Sequence, residues 1–498
     1  AQADLATVIL WPSLLACIMV IVLARGTARL MGTWAAVGSV AVFLTWGKLG
    51  GEFVPPRIDH HNVQILCGTV VFFLSLVPGR AALFGVLAGA VTALSLAVGL
   101  EMLPFLALVW GMMALRHVFG QPSAGAWLLG YAGGLTLSAP MLLAGQTAPA
   151  AWLADYCDVL AGPVLALATV GVVATVAPVL AGRLLRGPLP RLMLMAALAA
   201  LGLWLVWPVL GHCVAGPYAQ VSPEVRHIIE TNVVEALPAS ALIVTNPETL
   251  FRVLLPPLVL AILAAFAAWP LRHRLGPVQA IALAQTFAVV AVGFVFATVQ
   301  IRAANLMAPA VPLLGGFLVQ AFLQLPRASR ARLPSAILLV LAMPAVVERG
   351  VALALRSAPD TAEMPMAVAP SAGCHTAEAM SEIGSLPPSL VFTNLNLGPA
   401  ILAYTAHSVT SAAYHRSPEA FWNGVGAFQS MENLRQALGQ SRADYLVLCA
   451  HGGLEQDSPV MQSLLTGPLP AWLSEATGDR RTVRVFRVVP AALRGKVP

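Results

Sequence analysis

Along the first 355 positions, long apolar runs alternate with short polar breaks. Apolar helices of about 17–25 residues are long enough to cross a bilayer's hydrocarbon core. The runs fall near 5–24, 33–48, 63–79, 81–100, 102–116, 126–144, 159–179, 192–211, 251–270, 276–298, 305–324 and 336–352. The fifth is short and fits a re-entrant segment as well as a span. After Arg356 the pattern changes. A stretch rich in proline and small residues, 358–372, is followed by short apolar segments at 389–393, 408–412, 444–449 and 482–488. Helical patterns lie between them at 431–438 and 459–465. Strands alternating with helices predict a small α/β unit.

Composition agrees with a lipid environment. Of 498 residues, 58% are hydrophobic and 10% charged, and the mean hydropathy is +0.81. Soluble domains carry about 25% charged residues. The net charge of +6 does not point to nucleic acid, because no basic run carries interleaved aromatics. The basic residues sit in short loops. One alternate set of loops holds Arg25, Arg29, Arg80, Arg116, Arg183, Arg186, Arg191, Arg272, Arg274, Arg327, Arg330 and Arg332, and no Asp or Glu. All 22 acidic residues fall on the other side or at its membrane edge. Arginine excess marks the cytoplasmic face.

The expected fold class is therefore a polytopic α-helical membrane protein of about 12 spans with a small C-terminal α/β domain. Residues 1–355 form the membrane domain, with outer loops at 49–62, 145–158 and 212–250. Residues 356–498 form a periplasmic domain, and the expected location is a bacterial inner membrane. This topology puts Ala1 outside, with no signal peptide before it. The expectation is that at least one helix and an outer loop precede it in the full protein. The alternative is a processed N-terminus.

Candidate chemistry gathers on the outer side. Ionisable residues at membrane depth are costly and default to functional candidates. The densest group is Arg57-Ile58-Asp59-His60-His61-Asn62. In an extended segment Asp59 and His61 share one face while His60 faces elsewhere, and carboxylate with imidazole suits a divalent metal. The alternative is a polar loop capping the following helix. Glu101 is either a core-facing acid or an interfacial one. Asp155 and Asp158 fit a metal site or a solvated loop. In loop 212–250, Ser222-Pro223 reads as a helix start, and Val225, Ile228, Ile229 and Val233 recur at helical spacing, as in a surface helix. Glu235 follows it. Arg302 either reaches headgroups or pairs with a lipid-linked phosphate. Cys17 and Cys67 read as packing residues within the membrane. Cys157, Cys213, Cys374 and Cys449 fall outside, where disulfides persist. Cys374 and Cys449 are candidates for one bridge, which spacing alone leaves open.

These pieces resemble a family: the catalytic subunit of the oligosaccharyltransferases, within the GT-C membrane glycosyltransferases. Ile58-Asp59-His60-His61 resembles the DHH form of that family's metal-binding motif. Asn232-Val233-Val234-Glu235-Ala236-Leu237-Pro238 is similar to its S-V-S-E-H-Q-P stretch. Arg302 through Pro309 is similar to its R-L-x-L-x-x-A-P stretch. Each motif lies one helix earlier than in the family, as a missing first helix would require. The resemblance implies a divalent metal, Mg or Mn, on Asp59 and His61. It implies Glu235 near the acceptor and Arg302 on the phosphate of a polyprenyl-linked sugar. Asp59, Glu235 and Glu101 are the candidate catalytic carboxylates, and Arg57 is a second candidate for the phosphate. The implied reaction moves a sugar from a polyprenyl phosphate or pyrophosphate to an envelope acceptor.

Two departures qualify it. The family's acidic residue in its first outer loop has no counterpart here. Its W-W-D-Y-G acceptor motif is replaced by Asn394-Leu395-Asn396-Leu397-Gly398-Pro399, which counts against protein N-glycosylation. The chain also resembles a set of alphaproteobacterial membrane proteins sharing Gly216-Pro217-Tyr218 and Tyr414-His415-Arg416. Tyr414, His415 and Arg416 are candidates for an acceptor or donor surface; the alternative is a β-turn with a solvated arginine. A secondary transporter and a non-catalytic envelope scaffold are the rival classes. Transporters usually show repeated halves and midplane sites, and neither is visible here.

Overall fold

The computed structural model describes residues 2–55, 57–152, 154–216, 219, 221–223, 226–227, 233–326, 328–356, 373–412, 417–450, 458–477 and 482–493. The chain divides into two compact units. One comprises Ala1–Gln220 and Leu237–Pro359, the other Val221–Ala236 and Asp360–Pro498.

The first unit is helical. Its elements are α1 (Gln2–Met31), α2 (Thr33–Thr45), α3 (Gly47–Gly50), α4 (His60–Leu76), α5 (Ala81–Val98), α6 (Leu103–Val118), α7 (Pro122–Gln146), α8 (Gly162–Leu180) and α9 (Pro188–Leu210). They continue with α10 (Ala239–Thr245), α11 (Pro247–Leu271), α12 (Pro277–Val299), α13 (Val311–Leu323), α14 (Arg332–Leu341) and α15 (Pro344–Arg356). Every predicted apolar run falls on one helix or on a pair of helices separated by a short break. Among the described residues, seven helices are long and apolar enough to cross a membrane alone. Two more candidates are broken: Ile301–Met307 bends by 50° into α13, and α14 bends by 66° into α15. The expectation of about 12 spans also counts α2, α4 and α6. These apolar helices are shorter, and the 13 residues of α2 rise only about 20 Å.

Large apolar side chains such as Leu10, Trp204, Phe266 and Val299 line the exterior. Polar residues face inward instead: Asn62, Gln64, Gln285 and Thr286 are buried. Inside, Gln285 Nε2 donates to Ser75 Oγ at 2.8 Å and Arg116 Nη1 to the Ser75 carbonyl at 2.6 Å. Each buried polar group in a bilayer needs such a partner.

The α5–α7 crossing depends on glycine. A Cβ on Gly85 would lie 2.1 Å from the Trp127 carbonyl oxygen, and one on Gly89 2.2 Å from that of Tyr131. Reciprocally, Cβ atoms on Gly130 and Gly134 would lie 2.1 Å from the Ala82 and Val86 oxygens. Two small-xxx-small stripes thus bring backbone against backbone, the usual source of helix association in lipid.

The second unit holds a five-stranded sheet of β1 (Leu390–Thr393), β2 (Ser408–Val409), β3 (Tyr445–Cys449), β4 (Leu473–Glu475) and β5 (Val483–Val488), ordered β2-β1-β3-β5-β4. The β1 strand runs parallel to β2 and β3, whereas β5 runs antiparallel to β3 and β4. All five residues of β3 are buried, as a central strand covered on both faces requires. The helices expected around 431–438 and 459–465 appear as Met431–Ser441 and Pro459–Thr466, capped by Ser430 and Ser458. The β4 strand went unread because it spans three residues with one buried position.

Cys374 and Cys449 form a disulfide, and so do Cys157 and Cys213. Cys67 is buried inside the unit, and Cys17 lies on the outer surface of the apolar stretch Ile9–Met31 of α1. Most of the helix expected from Ser222 lies outside the described residues.

The glycine crossing generates a paired test. Gly134→Ala should lower stability by about 1–3 kcal/mol, as overpacking does. Gly133→Ala should be neutral, since a Cβ there meets nothing within 4 Å. Thermal unfolding in detergent compares the two.

Candidate functional site

The site forms where three loops of the first unit meet. Its first part follows from helix capping. Asp59 is extended, with φ −134° and ψ 150°, and its Oδ1 accepts the His61 N–H at 3.3 Å. That caps α4 and starts the helix at His60. The alternation expected of an extended segment therefore does not hold, and His60 does not face away from Asp59. Both Nδ1 atoms, of His60 and of His61, lie 2.9 Å from Asp59 Oδ1. The two rings lie face to face, with centroids 4.1 Å apart and planes 30° apart.

Glu101 closes the other side of the rings. It lies between α5 and α6, where the Met102 N–H donates to Gln64 Oε1 on α4 at 3.3 Å. Glu101 Oε2 is 2.7 Å from His61 Nε2 and 3.6 Å from His60 Nε2. Its other oxygen, Oε1, is 3.1 Å from Arg302 Nη1. Of the two readings of Glu101, the inward-facing one matches this geometry. Arg302 sits on the short 3-10 helix Ile301–Met307, whose Ile301 N–H donates to the Leu237 carbonyl at 3.0 Å. Its side chain is 18% exposed and pairs inward.

Burial alone would raise both carboxyls. The imidazoles against Asp59 outweigh it and hold that carboxyl well below its usual range. The imidazoles, together with the Arg302 charge, do the same for Glu101. Both are therefore anionic near neutral pH. Each buried His61 nitrogen is within 3 Å of a carboxylate oxygen, yet neither makes a hydrogen bond of good geometry.

A second chain of charges lies behind Asp59. Arg57 Nη2 is 2.8 Å from Glu52 Oε2 and 3.1 Å from Asp59 Oδ2. Lys48 Nζ donates to Glu52 Oε1 at 2.9 Å. Glu52 is 1% exposed, and its role is invisible in the sequence, where it is one acid in a loop. The turn that carries it begins at α3, whose first N–H, on Gly47, donates to Glu348 Oε1 at 2.7 Å. Glu348, from α15, is likewise buried and was not singled out by sequence.

Asp59, His60 and His61 offer three ligand atoms within 4.8 Å of one another. Cys157, His212 and Cys213 form a second such group, but their sulfurs are joined in a disulfide and are not thiolate ligands. Asp155 is there as well, its carbonyl against His212 Nε2 at 3.2 Å. Glu235 lies on the 3-10 turn Val234–Ala236 of the second unit. Tyr414, His415 and Arg416 lie outside the described residues.

Glu52→Gln should lower stability by about 1–3 kcal/mol, because it weakens the pairing of Lys48 and Arg57 at a buried point. Glu248→Gln, in an exposed pair with Arg252, should cost under about 0.5 kcal/mol. Thermal melts of both variants check the contrast.

Neither a family model nor a curated protein matches the sequence. Solved structures do match the fold. The archaeal oligosaccharyltransferase AglB from Archaeoglobus fulgidus, in complex with an inhibitory peptide and a dolichol-phosphate, aligns at TM-score 0.55 and 13% identity. The alignment covers 94% of this chain and 62% of that one. An Archaeoglobus fulgidus oligosaccharyltransferase in the apo form aligns at TM-score 0.54 and 12% identity, covering 89% and 59%. A complex with zinc and sulfate aligns at 0.52 and 14%, covering 90% and 56%. The chain thus spans less than two thirds of the length of these proteins. At such identity the likeness establishes architecture, and the chain has the fold of a GT-C membrane glycosyltransferase of the oligosaccharyltransferase type.

Proposed function

We propose that the protein is a membrane glycosyltransferase that takes a sugar from a polyprenyl phosphate or pyrophosphate donor to an envelope acceptor. The observation that carries this reading is the convergence of Asp59, His60, His61, Glu101 and Arg302 at the ends of apolar helices. An anion-binding guanidinium beside a carboxylate–imidazole cluster suits a phosphorylated lipid whose tail stays in the bilayer. The fold supports it, since Archaeoglobus fulgidus oligosaccharyltransferase structures of this fold hold a dolichol-phosphate, or zinc and sulfate.

The donor set fits a divalent metal: three ligand atoms close together, the Asp59 carboxylate held ionised, and a buried imidazole without a well-formed hydrogen bond. Asp59, His60 and His61 would hold it, and such an ion supplies Lewis-acid stabilisation of the leaving phosphate's charge. Mg and Mn suit the carboxylate, and Mn tolerates the imidazoles better. Arg302 adds a fixed positive charge where the phosphate departs. Arg57, held between Glu52 and Asp59, keeps the Asp59 carboxylate in place. Glu235 is our candidate to orient or deprotonate the acceptor. The site is taken to face the periplasm of a bacterial inner membrane. Two outer disulfides and the one-sided acids support that orientation.

Asp59→Ala in the full gene, in its own host, should block transfer while the protein accumulates normally. Mass spectrometry of extracted lipids should then show one polyprenyl-linked sugar building up. An unchanged lipid profile would favour the transporter or scaffold class.

A further inference from the structure

We infer that Glu101 is the positioning residue of this site: its carboxylate sets which nitrogen of each histidine faces the metal, and it ties that choice to Arg302. The inference rests on the metal-site reading above. It starts from the two faces of the stacked imidazoles. Both Nδ1 atoms lie 2.9 Å from Asp59 Oδ1. Both Nε2 atoms lie on the other side, 2.7 Å (His61) and 3.6 Å (His60) from Glu101 Oε2. A neutral imidazole carries one proton. Placed on Nε2, that proton faces Glu101, and the Nδ1 lone pairs are left for a cation beside Asp59. Placed on Nδ1, it would face the cation and leave two Nε2 lone pairs against a carboxylate, which is repulsive. Metal-bound histidines generally hold their second ring nitrogen on a carboxylate or carbonyl in this way.

Glu101 has a second oxygen, and Arg302 holds it at 3.1 Å. One carboxylate therefore touches both the histidine pair and the candidate phosphate-binding guanidinium. The three elements that carry these groups are the start of α4, the α5–α6 loop and the 3-10 helix Ile301–Met307. The Gln64–Met102 hydrogen bond also ties the first two together, and Glu101 links the histidine pair to the arginine.

The test measures Mn2+ affinity of the full chain in lipid nanodiscs, by the electron paramagnetic resonance signal of free Mn2+. Glu101→Ala should weaken binding by about 10–100-fold. Glu101→Gln should recover part of that loss, because its amide oxygen keeps partial negative charge beside the Nε2 atoms. Wild-type affinity in Glu101→Ala would overturn the inference. Loss as complete as in Asp59→Ala, with no recovery in Glu101→Gln, would make Glu101 a direct ligand and also overturn it. If Asp59→Ala itself binds Mn2+ like wild type, the metal-site reading fails first and takes this one with it. A readout independent of folding variants uses the wild-type chain loaded with Zn2+ and labelled with 15N-histidine. Protons on Nε2 and metal on Nδ1 of both rings are expected, and metal on Nε2 would overturn the assignment.

Discussion

A bilayer does not hydrate charge, so a chain this apolar must gather its ionised groups at the membrane edge and pair them there. The structure meets that constraint with a continuous run of contacts. Lys48 and Arg57 hold Glu52, Arg57 also holds Asp59, the two histidines join Asp59 to Glu101, and Glu101 reaches Arg302. Each carboxylate serves at least two cationic or imidazole partners. Burial without such partners would neutralise these acids. With them, Asp59 and Glu101 stay anionic.

The fold supplies the positions. Broken helices place polar backbone and side chains at the edge without exposing them to lipid. The 3-10 helix before α13 carries Arg302, and the cap on α4 fixes Asp59 against both rings. The Glu348 carboxylate anchors the short α3 helix that leads to Glu52. On the far side, close glycine contacts between α5 and α7 set the helix whose end leads into Glu101. Packing in the membrane and geometry at its edge are thus parts of one arrangement.

Much of this was legible in the sequence, and the limits have physical reasons. Helix positions follow from hydropathy, and each predicted run is helical. Asp59, His61 and Arg302 stood out because charge near a span is costly. Their mutual contacts did not, since Asp59, Glu101 and Arg302 are far apart along the chain and only folding brings Glu101 between the others. His60 was misplaced because the segment was read as extended, although an Asp before an apolar run is also an N-cap signal. Glu52 and Glu348 gave no signal, as a buried acid and a solvated one look alike in sequence. The glycine crossing was readable, since Gly85 with Gly89 and Gly130 with Gly134 both have the small-xxx-small spacing. Four outer cysteines allow three pairings, and only the structure joins Cys157 to Cys213.

The central proposal is that Asp59, His60 and His61 would together hold a divalent cation. Anomalous diffraction from crystals of the full chain soaked in Mn2+ tests it most directly. The account predicts one strong anomalous peak within coordinating distance of Asp59 Oδ1 and both Nδ1 atoms, with Glu101 remaining on Nε2. A peak elsewhere, or no peak while Asp59 and the imidazoles keep their present contacts, would contradict it.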